Sequence, residues 1–427
     1  MSADFACEGT WRACLFGFRN GSAGLIPQLE TADAPAGGAL SSTIERVGAS
    51  RSQRCHVPAL DGVRGVAILF VVTYHAARNL QYVGRWEERV ERVINSGWVG
   101  VDLFFVLSGF LITLILLDAK RGRRFFRSFY ARRVLRIVPL YLTLVVLAVA
   151  IAPAWGLATP EQAARLHAAQ GWYWTHSVNV LIARAGWSGT GWHTGHLWSL
   201  SVEEQFYLLW PVIVFISTRR TLARLCVAIM VTAAVLRLWL VSTFGPSTAV
   251  YVLLPTRMDA LTTGALMATF FEEPTEWAQA RRAALPVAAV TIAVLALIFF
   301  RESSVHPSGR LMQMAGYPAL SLLGAAAVVS AVSASSASVQ GWLWNLSPLR
   351  FLGRYSYGLY GWHPFVIAFL RHRVVAPSAF PTIAGSHLPA NALATVVALA
   401  LSIAVALLSW YLLERPFLAL KRFVPYG

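Results

Sequence analysis

The chain has 427 residues, of which 56% are hydrophobic and only 13% charged, about half the roughly 25% charge of a soluble protein. With a mean hydropathy of +0.56 and 16 Trp and 23 Phe, the composition excludes two or three ordinary water-soluble domains and identifies a membrane protein. A formal net charge of +16 would suggest nucleic acid as the partner of a soluble chain; here it reads as basic cytoplasmic loops, and no nucleic acid is expected.

Residues 1–57 carry Asp4, Glu8, Arg12, Arg19, Glu30 and Asp33 with no continuous apolar run between them, so no cleavable signal is expected. Their Ala/Gly/Ser-rich stretch, 31–52, reads as a disordered cytoplasmic tail or an over-long start rather than a domain. Cys7, Cys14, Cys55 and Cys226 form no CxxC pair. Neither a disulfide framework nor a metal site is expected from them.

Beyond residue 57, apolar stretches of about 18 or more residues recur, each long enough to cross roughly 30 Å of hydrocarbon as a helix. About ten spans are predicted, centred on residues 60–82, 97–117, 134–153, 197–216, 222–243, 251–271, 283–300, 314–333, 351–370 and 391–413. The expected fold class is all-α, a polytopic integral membrane protein. Lys120, Arg121, Arg123, Arg124, Arg127, Arg132, Arg133 and Arg136 crowd the connection between the second and third spans, which places it in the cytoplasm and, with an even number of crossings, both termini too. The long outer segment 154–195 holds Trp155, Trp172, Trp174, Trp187 and Trp192, read as an aromatic belt at the membrane interface. No internal repeat argues for an inverted-repeat transporter.

Ionisable side chains inside spans are costly in hydrocarbon and are candidates for function by default. Arg64 and His75 lie eleven positions apart in the first span; eleven steps of about 100° return to one helical face, separated by roughly 16 Å of rise. That face presents a cation at one end and, deeper, an imidazole able to act as base or nucleophile. Asp102, about one turn into the second span, stands at a depth suited to orienting His75, or equally to pairing with an intramembrane Arg such as Arg237. Ser108 and Gly109 read as close-packing residues. In the fourth span Leu200, Glu203 and Tyr207 share a face, so of the two adjacent acids Glu203 is expected inside and Glu204 outside; a helix cap with a solvated pair is the other reading. Arg257 and Asp259 point to different faces and each needs another partner. His363, before Pro364, reads as a ring held by a carbonyl that the proline leaves free. Arg133 and Arg136, at i and i+3, present guanidiniums suited to phosphates; anionic lipid and topology account for the rest of the basic loop.

Seven blocks in order then carry a family resemblance: LDGVRGVAILFVVTYHA (60–76), GWVGVDLFFVLSGFLIT (97–113), FYARRVLRIVPLY (129–141), HLWSLSVEEQFYLLWP (196–211), RMDALTTGAL (257–266), LGRYSYGLYGWHPF (352–365) and ERPF (414–417). From residue 58 to about 423 the sequence resembles the membrane-bound acyltransferase 3 family, which includes O-antigen and exopolysaccharide O-acetyltransferases. The family's Arg-x10-His pattern falls on Arg64 and His75, and its Arg-x-x-Arg pattern on Arg133 and Arg136. The resemblance implies a ten-helix enzyme of the plasma membrane that takes an acyl group, often acetyl, from a cytoplasmic acyl-CoA and delivers it to a carbohydrate or glycolipid hydroxyl. On this reading Arg64, Arg133 and Arg136 bind the acyl-CoA phosphates, and His75 is the base or the acyl carrier. Asp102 or Glu203 orients His75, Arg257 stabilises the developing oxyanion, and no metal takes part. Some members add a C-terminal SGNH hydrolase-like domain; its expected absence here leaves direct transfer, or completion by a separate periplasmic or extracellular transferase. The competing class is a transporter or flippase using the same buried charges as a proton relay.

Overall fold

A computed structural model describes residues 57–78, 80–270, 274–334, 338–373 and 382–425. The predicted tail, with Cys7, Cys14 and Cys55, lies outside the described residues apart from residue 57. Ala59–Gly427 forms one compact unit, which contains the membrane bundle. Among the described residues every regular element is helical, and the single β pairing is an isolated bridge between Ile383 and Ser386.

Helix α1 (Pro58–Ala77) is followed by the charged amphipathic helix α2 (Gly84–Ile94), a 3-10 turn (Asn95–Val99) and α3 (Gly100–Ala119). The third predicted span is α4 (Phe125–Val146), extended by a π turn, Leu147–Ile151. Two short helices, α5 (Pro160–Trp174) and α6 (Val178–Ala185), fill the long segment before α7 (Leu197–Ile216). Then come α8 (Arg219–Phe244), α9 (Thr248–Val252), α10 (Leu254–Phe270), α11 (Pro274–Glu302) and α12 (Tyr317–Ser333). The chain closes with α13 (Val339–Trp344), α14 (Ser347–Arg354), α15 (Ser356–Arg373), α16 (Leu388–Ser409), a π turn (Trp410–Glu414) and α17 (Arg415–Ala419).

Among the described residues eight helices are long and apolar enough to cross a membrane, and the protein is a multi-pass membrane protein. The sixth and ninth predicted spans also form helices, α10 and α15, but α10 has only 17 residues and α15 carries His363, Arg371, His372 and Arg373. Their polar residues are tolerated because both helices are packed into the bundle: α10 lies against α3, α8 and α12, and α15 against α16 and α4. At the crossing of α3 and α10 a Cβ on Gly109 would stand 1.8 Å from the Leu261 carbonyl oxygen, and one on Gly264 would stand 1.9 Å from that of Val106. Reciprocal glycines thus bring two backbones together, the close approach expected for Gly109.

The aromatic belt is only partly realised. Trp155, Trp174 and Trp187 are exposed, whereas Trp192 is buried against Phe365. Trp192 therefore belongs to the packed interior of the bundle rather than to the interface.

Candidate active site

Two polar clusters occupy opposite ends of α1. At the end bearing Arg64, that guanidinium pairs with Asp61 at 2.7 Å and stays partly accessible. Arg133 lies over the Tyr207 ring, 5.0 Å from its centroid, and Arg136 over the Tyr357 ring at 5.6 Å. Arg64, Arg133 and the buried Glu414 all fall within electrostatic reach of Arg136, so the three cations singled out from sequence converge.

Lys421, which sequence reasoning passed over as part of a basic tail, joins them near Arg132, Arg133 and Arg136. Backbone contacts of the C-terminal segment hold it there: Arg132 donates to the carbonyls of Lys421 and Val424, both at 3.0 Å, and Ser128 to that of Pro425 at 2.8 Å. Pro416 in α17 cannot donate an N–H to the preceding turn, which is the kind of break that accompanies a π turn. Glu414, in that turn, is the acid facing the cations.

Glu203 lies at this end as well, beside Ser108 and Tyr207 and toward Arg133 and Arg64. Ser108 is hydrogen-bonded to the Tyr207 hydroxyl at 2.5 Å. The expectation that only one of the two acids faces inward is corrected. Glu203 and Glu204 are both half-buried, Glu204 lying within reach of Tyr141 and Tyr357, because α7 is covered by neighbours on both of those faces.

At the other end stands His75, half-buried, with a neighbour the sequence reading did not anticipate. His75 Nδ1 is 2.9 Å from the Val71 carbonyl and 3.3 Å from His363 Nε2. His363, fully buried, places its own Nδ1 3.0 Å from the Leu359 carbonyl. A carbonyl only accepts, so in the neutral rings both Nδ1 atoms carry the proton. His363 Nε2 is then a lone pair facing the His75 N–H, and His75 Nε2 is a lone pair free to take a proton. The third ring, His196, lies 5.7 Å from His363 between centroids, with Nδ1 3.1 Å from the His193 carbonyl. Tyr360 donates to the His196 carbonyl at 3.0 Å and also bonds Ser199.

Of the two places open to Asp102, beside His75 or against an intramembrane Arg, it takes the second, with Arg257 rather than Arg237 as its partner. Its carboxylate accepts from Arg257 at 2.5 Å, with both side chains sequestered, and Arg257 is stacked 4.1 Å from the centroid of Tyr317. Arg237, the other candidate partner, pairs with Asp259 at 2.7 Å and donates to the Thr256 carbonyl at 2.6 Å. The physical reason is that a bare charge in this interior is expensive, and each carboxylate goes to the nearest guanidinium. Arg257 and Asp259 thus find separate partners, as their different faces require. Since Arg257 is already neutralised by Asp102, its expected role at a developing oxyanion gains no geometric support. His363 proves to be more than a ring held by a free carbonyl, since its second nitrogen meets His75. Among the described residues no group of His, Cys, Asp and Glu side chains is arranged to hold a metal ion.

A family model described as an acyltransferase domain, of the acyltransferase 3 type, matches residues 57–412. The chain belongs to this family. It is 28% identical over 332 residues to the peptidoglycan O-acetyltransferase OatA of Listeria monocytogenes, covering 74% of this chain and 50% of the relative. It is 30% identical over 342 residues to the Bacillus subtilis protein named "Putative peptidoglycan O-acetyltransferase YrhL", covering 73% and 49%. A Staphylococcus aureus protein named "Putative O-acetyltransferase SACOL0978" is 26% identical over 382 residues, covering 85% and 57%. The chain spans about half the length of the first two. No solved structure matches.

Proposed function

We propose that this protein is an integral-membrane O-acyltransferase of the plasma membrane that moves an acyl group, acetyl by preference, from a cytoplasmic acyl-CoA to a hydroxyl of a carbohydrate in the cell envelope. The observation that carries the reading is the division of α1. A cationic cluster sits at its Arg64 end and a histidine pair with an available Nε2 sits roughly 16 Å along the same helix. Two relatives named for O-acetylation of peptidoglycan support a carbohydrate acceptor, and the basic connection between α3 and α4 supports cytoplasmic termini.

The acyl-CoA phosphates dock on Arg64, Arg133 and Arg136, whose planar forks suit phosphate oxygens; Glu203 and Glu414, within electrostatic reach, limit the mutual repulsion of the guanidiniums. The thioester end reaches toward His75. There Nε2 accepts the acceptor hydroxyl's proton as the oxygen attacks the thioester carbonyl. The C–S bond then breaks, and the imidazolium, held through Nδ1–H by the Val71 carbonyl and His363 Nε2, gives that proton to the leaving CoA thiolate, so that the O-acyl ester and free CoA thiol are formed and His75 is restored. The arrangement resembles a catalytic triad in logic, with a second imidazole where a carboxylate usually stands.

Transfer of radiolabelled acetyl from acetyl-CoA into envelope carbohydrate, in membranes holding matched amounts of protein, tests the reading. His75→Ala and Arg64→Ala are each expected to lose at least about 100-fold. Undiminished transfer by His75→Ala overturns the mechanism, and substrate movement without covalent change supports a transporter instead.

A further inference from the structure

The cationic cluster at the Arg64 end of α1 contains one group that the donor site proposed above leaves idle. The chain has two lysines, Lys120 and Lys421. Lys120 is committed to structure: its ammonium donates to the carbonyls of Val214, at 2.8 Å, and Ser217, and so caps the last turn of α7. Lys421 has no such role. It is half-buried, and among the described residues no acid or carbonyl engages its ammonium. Its electrostatic neighbours are Arg136, Arg133 and Arg132, all of its own sign.

The backbone nevertheless keeps Lys421 among these cations. Arg132 donates to the carbonyls of Lys421 and Val424, and Ser128, one turn earlier in α4, to that of Pro425. Three carbonyls thus clasp the segment after α17 along the start of α4. Arg136 lies one turn deeper along α4 than Arg132, so Lys421 stands at the edge of the cluster nearest the basic α3–α4 connection. Arg133 and Arg136, over the rings of Tyr207 and Tyr357, form its inner part. Holding like charges together in a half-buried place is unfavourable, and Glu414, which reaches Arg136, offsets only part of it. An anion with charges in more than one place would offset the rest.

We propose that Lys421 binds the ribose 3′-phosphate of the acyl-CoA donor, while Arg64, Arg133 and Arg136 hold its diphosphate. The inference rests on the acyltransferase reading and adds to it how the enzyme recognises the far end of its donor. Coenzyme A carries phosphate in two places: a diphosphate joined to the pantetheine arm, and a monoester on the ribose, farther from the thioester. With the thioester directed at His75, the diphosphate falls on the inner guanidiniums and the monoester at the edge where Lys421 stands. A phosphate monoester carries more charge than a diester linkage at neutral pH, and a compact ammonium with three rotatable donors suits that concentrated charge. A lipid headgroup presents the same phosphate chemistry as a diester, and is the other source the test must separate.

The test is equilibrium binding of radiolabelled acetyl-CoA and of acetyl-dephospho-CoA, which lacks only the 3′-phosphate, to the full-length protein in phosphatidylcholine nanodiscs. The native protein is expected to prefer acetyl-CoA about tenfold, the scale of one charge-assisted hydrogen bond. Lys421→Gln is expected to bring that preference below about twofold, Lys421→Arg to retain most of it, and Arg422→Gln, at the exposed next position, to leave it intact. Equal affinity of the native protein for the two donors, or a preference unaffected by Lys421→Gln, overturns the proposal. If, in addition, Lys421→Gln lowers the melting temperature only in nanodiscs containing phosphatidylglycerol, the ammonium belongs to a lipid headgroup. Acetyl transfer from both donors is read in parallel. Preferential binding without transfer leaves the phosphate subsite standing and removes the reaction; transfer without preferential binding does the reverse.

Discussion

Replacing His363 by Phe keeps a ring of similar size in a fully buried position but removes the nitrogen 3.3 Å from His75 Nδ1. In the resting enzyme little is lost, because His75 Nδ1–H retains the Val71 carbonyl at 2.9 Å. In the transition state of the proposed mechanism His75 becomes an imidazolium, and a hydrogen bond to a charged group contributes roughly 1.5–3 kcal/mol. At about 1.36 kcal/mol per decade that is roughly a 10- to 150-fold fall in kcat, with KM for both substrates little changed. His75→Gln removes the base itself and is expected to lose roughly 100- to 10,000-fold. The assay is steady-state acetyl transfer by purified protein in nanodiscs, with thermal melts confirming that both variants fold. The decisive comparison is the double variant: once His75 is gone His363 has no charge to support, so His75→Gln/His363→Phe should be no slower than His75→Gln alone. Additive losses, or a His363→Phe variant within about threefold of native, would refute the coupling argued from the tautomers.

Two further outcomes are expected. Asp102→Leu leaves Arg257 buried without its counter-charge and should destabilise by about 3–5 kcal/mol, while Asp102→Leu combined with Arg257→Met should recover most of the loss; thermal melts of the four proteins check this, and retained acetyl transfer in the double variant would assign the pair to structure rather than to the reacting carbonyl. In the segment outside the spans, His176 stacks on Tyr141 at 3.8 Å and burial pushes its pKa down to about 4. Protonation therefore favours the unfolded chain, so His176 costs nothing above about pH 6.5 and removes up to about 1.4 kcal/mol of stability per pH unit from there down to about pH 4. His176→Phe should flatten that part of the acid limb in melting temperature against pH, and an unchanged limb would show that His176 does not titrate there.

What was legible in the sequence was what a single helix sets. Arg64 and His75 share a face because eleven residues is close to three turns, and Arg133 and Arg136 share one because they are three apart; both statements follow from 3.6 residues per turn without any tertiary knowledge. The same geometry separated Arg257 from Asp259. What it could not supply was partners across helices. His75 meets His363 over a separation of 288 residues, and Asp102 meets Arg257 over 155; no local pattern encodes either meeting. Pro364 favours a local, structural reading of His363, and the sequence leaves Asp102 equally suited to an imidazole and to an intramembrane Arg. Lys421 and Glu414 were missed for a related reason, since only the packing of the last turns against α4 turns a basic tail into part of the cationic cluster.

Fixing the distance between the two ends of α1 is itself a problem of packing, and glycines solve it. A Cβ on Gly62 would stand 1.9 Å from the Trp344 carbonyl oxygen and one on Gly65 2.0 Å from that of Leu349, while Gly353 answers with 1.8 Å to that of Asp61. Near the other end Gly97 and Gly100 stand in the same relation to the carbonyls of Phe70 and Ala67, at 2.5 and 2.3 Å. Helix α1 is thus wedged backbone to backbone beside Arg64 and again beside the turn that carries His75. Gly65→Ala tests the wedge. Ordinary contact begins at 3.4 Å, so relieving a 2.0 Å approach requires a shift of 3.4 − 2.0 = 1.4 Å between α1 and α14. The intrinsic preference of a helix for Ala over Gly favours the variant by about 1 kcal/mol, and overpacking opposes it by about 1–3 kcal/mol. Sterics should prevail here, because the obstructing atom is a backbone oxygen with no rotamer to yield. The effect on catalysis should exceed the effect on folding: a misplacement of about 1 Å can cost about 100-fold in rate, and Arg64 follows Gly65 directly in being displaced from Arg133 and Arg136. Gly171→Ala in α5, where an added Cβ meets nothing within 4 Å, is the control and should be neutral or slightly stabilising. Equal melting temperatures and equal KM for acetyl-CoA in the two variants would mean that α1 tolerates movement and that the separation of its two clusters is not what the fold protects.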